Sequence, residues 1–422
     1  NPKDPLSHPK SQIAMKFNVI DDVESKVQIL EARLRVVDKQ SVEISQSTGR
    51  VLAQAIENFR DSPPLDVSAM DGYALGWEDL SKIASQESMG KLSLPVLAVA
   101  TAGSKPVAMI SGVAVRIFTG GVVPEGAQVV IPRERCIEYP DRVAVNMPIQ
   151  EIKLGWNIRR QGENARQGDI GLQPGCLIDG PRMSSLVSMN RTSDVDVYRK
   201  LRVTIINTGD ELMNVADPIE PWQIRDSNGP LLESMLQSCP WVQLSRVSAK
   251  DDLEEIQREL QKALAQSDAV ILTGGVSMGD TDHVPAAVRN SQAEVLFHRL
   301  AIRPGAPILG AATLHGQLVL GLPGNPVSVA VTFRRFGLQL LRRMAGFSNG
   351  TKFMKLELSG GDDKTLHLVW YRLVQLQDDG TVRLLPNQGS GDIRALGDSS
   401  GFIEVPPETV SKGQFPYFDW SF

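Results

Sequence analysis

Apolar residues at Val23, Val27, Leu30 and Leu34 recur at helical spacing, and Asp21, three residues before Glu24, stands in capping-box register. The pattern predicts an amphipathic helix opening at Asp21. A shorter helix is expected over residues 51–56. From Pro63 the texture changes to Gly and Pro punctuation around short β-branched runs, Val96 to Thr101, Val113 to Phe118 and Val129 to Pro132, which read as strands of a small β-rich module. The segment Pro63 to Ala74 carries too many turn formers for an ordinary strand and reads as a structured loop. A Gly-rich stretch from Gly162 to Gly180 leads into a helix expected near Pro181.

A different rhythm begins at Leu201. The apolar strand Arg202 to Asn207 runs into Thr208-Gly209-Asp210-Glu211, and a helix follows through Leu231, Leu232, Met235 and Leu236. Trp241 to Val247 reads as the next strand, Asp252 with Glu255 opens a capped helix, and Ala269 to Thr273 is a third strand. Leu318 to Leu322 is a fourth, after which Asn325 and Pro326 occupy N-cap and first-turn positions of a helix to about Arg343. Repeated strand-to-helix alternation predicts a parallel-rich sheet with helices on both faces. Beyond Gly350 short strands return, with Asp378-Asp379-Gly380 as the turn of a hairpin between Val369 to Leu376 and Thr381 to Leu385.

At 422 residues the chain exceeds what one core organises. The expected organisation is a disordered leader over 1–17, a discontinuous N-terminal mixed domain from 18–56 and 150–200, a small β-rich domain over 57–149, an α/β domain over 201–347 and a C-terminal β domain over 348–422. The fold class is thus α/β plus β, multidomain. A formal net charge of −5 argues against non-specific nucleic-acid binding. Three cysteines, Cys136, Cys176 and Cys239, without a Cys-x-x-Cys pair, favour neither a disulfide framework nor a zinc ribbon and fit a cytoplasmic setting. No apolar run of about 18 residues is present to span a membrane.

Chemistry concentrates after the predicted strands of the α/β region. Two Gly-rich turns, Thr273-Gly274-Gly275-Val276-Ser277-Met278-Gly279-Asp280 and Gly321-Leu322-Pro323-Gly324-Asn325-Pro326, each leave a strand, where ligands collect in open α/β sheets and where glycine lets backbone N–H groups approach an anion. Taken singly, each reads first as a tight turn; as a pair with Ser277 and Ser328 nearby they point to anion binding. Asp210, Glu211, Asp251, Asp280 and Asp282 cluster at the same kind of position, a set suited to a hard cation such as magnesium or, alternatively, to N-caps and solvated turns. Arg299 and Arg303, ahead of Pro304-Gly305, and Arg372 supply guanidinium donors for an oxyanion. None of the five histidines stands in His-x-x-x-His spacing, and no Gly-x-Ser-x-Gly elbow occurs.

Six blocks in order then carry a resemblance: Ser68 to Ala74, Arg116 to Gly120, Asn157 to Glu163, Thr208 to Leu212, Gly274 to Ser277 and Gly321 to Ser328. Together they resemble the signature of the MoeA family of molybdopterin molybdenumtransferases, shared with the gephyrin E domain. The resemblance implies a homodimer of four-domain subunits with a MogA-like α/β domain and a C-terminal β-barrel-like domain, with each cleft drawing on both chains. It implies a reaction in which adenylylated molybdopterin and molybdate, assisted by magnesium, give molybdenum cofactor and AMP. By position it implies catalytic roles for Asp71, Thr119, Glu211, Asp251 and Asp282, with Glu211 and Asp282 on the metal. Substrate binding falls to Gly274, Gly275, Ser277, Asp280, Arg299, Arg303, Pro304, Gly324, Asn325, Ser328, Arg372 and Ser390, of which Arg303, Pro304, Ser328, Arg372 and Ser390 match the molybdate pocket.

The chain departs from the family pattern at Arg299 and Arg303, where lysines are usual, at Ala306, at Asn164, where an acid is usual, and at Val67. Two other readings are carried forward. One is a molybdopterin adenylyltransferase-like enzyme, against which the domains flanking 201–345 argue. The other is a catalytically weakened molybdopterin-binding or scaffold protein. Partners expected beyond a second copy are proteins of molybdenum cofactor biosynthesis or acceptors of the cofactor.

Overall fold

The structure, a computed structural model, describes residues 10–84, 93–189, 193–210, 212–213, 216, 218–277, 282–350 and 353–421. They fall into two compact units, one formed by residues 1–54, 174–183 and 194–422 and the other by 55–173 and 184–193.

The larger unit is built on a six-stranded sheet. Its order is Val242–Ala249, Leu201–Thr208, Ala269–Thr273, Leu318–Leu322, Leu309–Ala312, Glu294–His298. The first four strands are parallel and Leu309–Ala312 pairs antiparallel with both of its neighbours, so the sheet is mixed where simple alternation predicts parallel pairing. The antiparallel pair comes from a tight return through Thr313-Leu314-His315-Gly316, too short for a crossover helix. Burial follows from position in the sheet. Ala269–Thr273 and Leu318–Leu322 are buried at every residue, as strands covered on both faces must be, whereas the edge strand Val242–Ala249 is only partly covered. The buried Thr204 hydroxyl is satisfied by the Ser245 and Ser267 hydroxyls, each at 2.7 Å.

Helices Asn228–Gln237 and Pro326–Thr332 cover one face, and Leu253–Gln266 and Val284–Asn290 the other. The Asp252 carboxylate caps Leu253–Gln266 by accepting from the Glu255 amide at 2.9 Å, as its spacing predicts. Asn325 stands at the N-cap before Pro326 but does not cap with its side chain; its amide donates to Ser390 Oγ instead. The helix expected to run unbroken to Arg343 widens into a π-turn at Phe333–Gly337 before resuming as Leu338–Met344. That turn carries Arg335, which pairs with Glu24 and with Glu404.

The N-terminal helix spans Lys10–Arg33. Residues 10–17, expected to be a disordered leader, are therefore helical, and Asp21 lies inside the helix rather than at its start; the leader's first nine residues lie outside the described residues. Val23, Val27, Leu30 and Leu34 are buried, as their spacing requires. Leu30 packs against Gly310, where a Cβ would come within 2.7 Å of it and 2.4 Å of the Phe297 ring. Residues 51–56 form no helix: Val51 and Leu52 bridge to Leu177 and Val197.

A closed five-stranded barrel completes this unit, formed by Met354–Asp362, Val369–Leu376, Val382–Leu384, Gly401–Val405 and Ser411–Asp419. The hairpin turn at 378–380 is where the sequence predicts it. Ile302–Arg303 adds to the barrel in parallel with Val369–Trp370.

In the smaller unit a six-stranded sheet runs Val129–Pro132, Gly72–Leu75, Ala114–Ile117, Ser93–Ala100, Arg142–Val145, Cys136–Glu138. Gly72–Leu75 belongs to the segment read as a loop, yet it is a fully buried central strand. Gly72 is required there, because a Cβ would lie 2.0 Å from the Ile131 carbonyl oxygen.

Candidate functional site

The carboxyl ends of the three central parallel strands release their loops side by side. Register sets this: Asn207 stands opposite Thr273, and Thr273 opposite Leu322. Short polar contacts then fix the loops. Asn207 donates through its side-chain amide to Thr273 Oγ1 at 2.8 Å, Thr208 Oγ1 donates to the Thr273 carbonyl at 3.1 Å, and the Gly274 amide donates to the Leu322 carbonyl at 3.2 Å. Asn228 holds the other turn by donating to the Gly324 carbonyl at 2.7 Å.

Gly274 has φ +84°, and a Cβ on it would lie 2.6 Å from the Thr208 carbonyl oxygen. Gly275 has φ +59°, with Asp251 Oδ1 3.5 Å from where its Cβ would be. The backbone thus turns through the left-handed region twice in succession, which glycine allows without strain and with no side chain in the way. Ser277 follows on the exposed rim. Asp210 accepts from the Asp251 amide at 3.2 Å, which brings the loop after Leu201–Thr208 to the loop after Val242–Ala249. Asp282 is half-buried just ahead of Val284–Asn290, the helix whose Val284 amide donates to the Gly275 carbonyl at 3.2 Å.

The structure therefore assembles Asp210, Asp251, Gly274, Gly275, Gly324 and Asn325 at one end of one sheet. Glu211 and Asp280, expected here, lie outside the described residues. Among the described residues no three His, Cys, Asp or Glu side chains form a metal cluster. The oxygen-only donors present, Asp210, Asp251 and Asp282, suit magnesium, which takes one or two protein carboxylates together with ligand phosphates and water.

A second grouping lies at the barrel. Arg303 and Arg372 line one cavity of about 880 Å³ together with Asp362, Lys364, Trp370 and Asn387. Arg303 is exposed on the strand that joins the barrel. Arg372 is not open in the way its sequence reading expects: its guanidinium forks onto both oxygens of Asp362 at 2.7 and 2.8 Å, donates to Ser411 Oγ at 2.8 Å and lies 4.1 Å above the Trp370 ring. That pairing holds the Asp362 carboxyl below its ordinary range. Asp362 and Lys364 were invisible as site residues in the sequence, since nothing marks Gly360-Gly361-Asp362-Asp363 as more than a turn. Ser390 meets Asn325, whose side-chain amide donates to Ser390 Oγ at 2.8 Å, and the Val327 amide donates to the Ser390 carbonyl at 3.1 Å. Ser328 is buried in the helix after Asn325, Pro304 follows Arg303, and Arg299 is exposed with φ +81°.

In the smaller unit Asp71 and Thr119 meet directly. Asp71 Oδ1 accepts from both the amide and the hydroxyl of Thr119 at 2.8 Å. These bonds, chiefly the backbone one, with Arg116 and Arg133 nearby, hold the exposed Asp71 carboxyl below its ordinary range. Asn157 to Glu163 is a brace: Arg159 donates to Glu163 at 2.5 Å and to Asn164 Oδ1 at 2.6 Å, and Arg160 to Asp66 at 2.6 Å. Asn164, one of the departures, thus still serves as an acceptor.

Known proteins match this arrangement throughout. A model described as the MoeA N-terminal region, domains I and II, matches residues 21–190, and one described as a probable molybdopterin binding domain matches residues 204–343. The chain is 33% identical over 372 residues to a molybdopterin molybdenumtransferase of Synechococcus elongatus, covering 87% of this chain and 90% of the relative. It is 30% identical over 366 residues to one of Nostoc sp., covering 86% and 80%. The crystal structure of a molybdopterin biosynthesis MoeA protein from Pyrococcus horikoshii OT3 superposes with a TM-score of 0.78 at 25% identity, over 94% of this chain and 99% of that one. With its loops, barrel and sheets all accounted for along one continuous match, the chain belongs to the MoeA family of molybdopterin molybdenumtransferases.

Proposed function

We propose that this protein inserts molybdate into adenylylated molybdopterin, forming molybdenum cofactor and releasing AMP. The observation that carries the reading is the pair of Gly-rich turns, 273–277 and 321–325, held together by the Gly274-to-Leu322 hydrogen bond at the carboxyl ends of the parallel strands. Glycines there let the backbone come close to the phosphate portion of the pterin substrate without side chains in the way, the Gly274 N–H itself being taken by the Leu322 carbonyl. Asp251 and Asp282, with Glu211, hold magnesium at that end. When bound, the ion neutralises charge on the phosphate oxygens. Positioning and electrostatics supply most of the rate, and no covalent protein nucleophile is invoked.

Molybdate is assigned to the barrel cavity, with Arg303 as its cation and Arg372 as a supporting group; Ser328 and Ser390, expected beside them, are not among the residues that line that cavity. Because Asp362 already clasps Arg372, the charge for the oxyanion falls to Arg303, assisted by Lys364. Arg303→Ala is expected to raise the molybdate concentration needed for half-maximal AMP release about tenfold or more, the weight of one charge-assisted contact, while adenylylated pterin binds as before. Arg303→Lys should retain activity. A molybdate titration of Arg303→Ala that overlays the wild type would remove Arg303 from the site and favour a binding or scaffold role.

The protein acts as a homodimer in this proposal, with Asp71 and Thr119 of one subunit serving the partner's site. Mixing Asp71→Asn with Glu211→Gln subunits should restore one intact site per heterodimer. Subunits that exchange without recovering AMP release would mean that each chain works alone.

A further inference from the structure

At the opposite end of the same sheet, where the parallel strands begin, lies a cavity of about 660 Å³ to which the proposed reaction assigns no role. Leu201, Val242, Ala269 and Leu318 open those four strands, and a strand of eight residues separates this end from the Gly-rich loops by roughly 20–25 Å. Its lining is cationic in a chain whose net charge is −5. Arg35, Arg50, Arg199, Lys200 and Arg202 face it, against two carboxylates, Asp38 and Asp268.

The two carboxylates are already shared among three arginines. Arg199 forks onto Asp268 at 2.6 and 2.7 Å, Arg202 Nε stands 3.5 Å from the same carboxylate, and Arg35 donates to Asp38 at 2.9 and 3.1 Å. Burial opposes ionisation of Asp268, but these bonds hold its carboxyl below the ordinary range, so it stays charged. Among the described residues neither Arg50 nor Lys200 has a carboxylate partner. Arg50 is 8% exposed; its terminal nitrogens donate to the Tyr198 carbonyl at 2.9 Å and, in the amide orientation that satisfies both groups, to the Gln40 side-chain oxygen, while its Nε has no acceptor there. A buried guanidinium without a counter-charge is a costly arrangement that a bound anion would relieve.

Strand beginnings normally sit among helix C-termini, whose free carbonyls repel anions. Here that source is blocked. The Gln317 side-chain amide donates to the Leu264 and Ser267 carbonyls at 2.6 and 2.7 Å, and the Met344 carbonyl accepts from the Val37 amide. Among the described residues no aromatic ring other than the His315 imidazole lines the cavity, so it offers charge rather than a stacking platform for a base.

We propose that this cavity is a second anion site, taking a small, multiply charged anion of the pyrophosphate class and separate from the site of molybdenum insertion. Its volume falls in the range of small-molecule sites. The test is titration calorimetry with inorganic pyrophosphate at constant ionic strength, with AMP present to occupy the Gly-rich loops, on wild type and on Lys200→Ala/Arg202→Gln. Both substituted residues are exposed, so the fold should survive, which thermal unfolding would check; Lys200→Glu is the second variant. Binding is expected to weaken tenfold or more in both variants while AMP release is kept, and pyrophosphate should protect amides at 199–202 and 315–317 from hydrogen exchange. Equal pyrophosphate affinity in all three proteins, or displacement by chloride at the same ionic strength, would overturn the assignment.

Discussion

Gly274→Ala is expected to lose about a hundredfold or more in kcat/KM for AMP release, on the scale that misplacing a binding loop by an ångström costs. The methyl would meet the Thr208 carbonyl oxygen at 2.6 Å and Thr208 Oγ1 at 3.0 Å, and neither can retreat, because Thr208 Oγ1 is itself bonded to the Thr273 carbonyl. The residue also sits at φ +84°, a conformation costing an L-side chain about 1–2 kcal/mol before any clash. Stability of the larger unit should fall by about 2–4 kcal/mol once overpacking is added. Gly275→Ala provides the contrast: its Cβ would meet neighbours only at 3.3 Å and beyond, with φ +59°, so the milder strain should dominate and the loss should be smaller. Steady-state kinetics and thermal unfolding of the two variants decide the matter. If Gly274→Ala turned over like wild type, the close approach of these loops would have no part in binding phosphate.

The second large effect belongs to the carboxylates. Asp282→Asn and Glu211→Gln keep the size of each side chain and remove its charge, and each is expected to lower AMP release by about 10²- to 10³-fold, the usual weight of one preorganised electrostatic group. Thermal stability should hardly change, since Asp282 is half-buried at a loop and not in the core. The magnesium concentration for half-maximal rate should rise in both variants. Unchanged magnesium dependence together with wild-type AMP release would exclude these residues from the metal site and leave Asp210 and Asp251 as the carboxylates to test.

Between them these variants separate two kinds of residue: those whose role is to let the backbone come close and those that carry charge. The departures at Arg299 and Arg303 are of the second kind. Arg299 is exposed and Arg303 faces the barrel cavity, so both replacements of lysine keep a cation where solvent and ligand can reach it.

Local pattern determined much of this protein. The strands Ala269–Thr273, Leu318–Leu322 and Val129–Pro132 lie at the positions that their apolar runs mark, and Asp252 caps its helix as its spacing to Glu255 requires, because burial on a sheet and capping are decided within a few residues. The six ordered blocks likewise made the family legible. Tertiary structure decided the rest. Gly72–Leu75 is a central strand despite its turn-forming neighbours, since pairing on both edges outweighs local propensity. Asp21 lies within its helix and not at the start, because that helix begins at Lys10. Asn325 gives its side chain to Ser390 rather than to its own helix, and Arg372 closes onto Asp362 and Ser411. Each of those partners is fixed by how the barrel closes and how it meets the α/β sheet. A hydrogen-bonding side chain takes the best-placed partner in space, and spacing along the chain does not reveal which one that is.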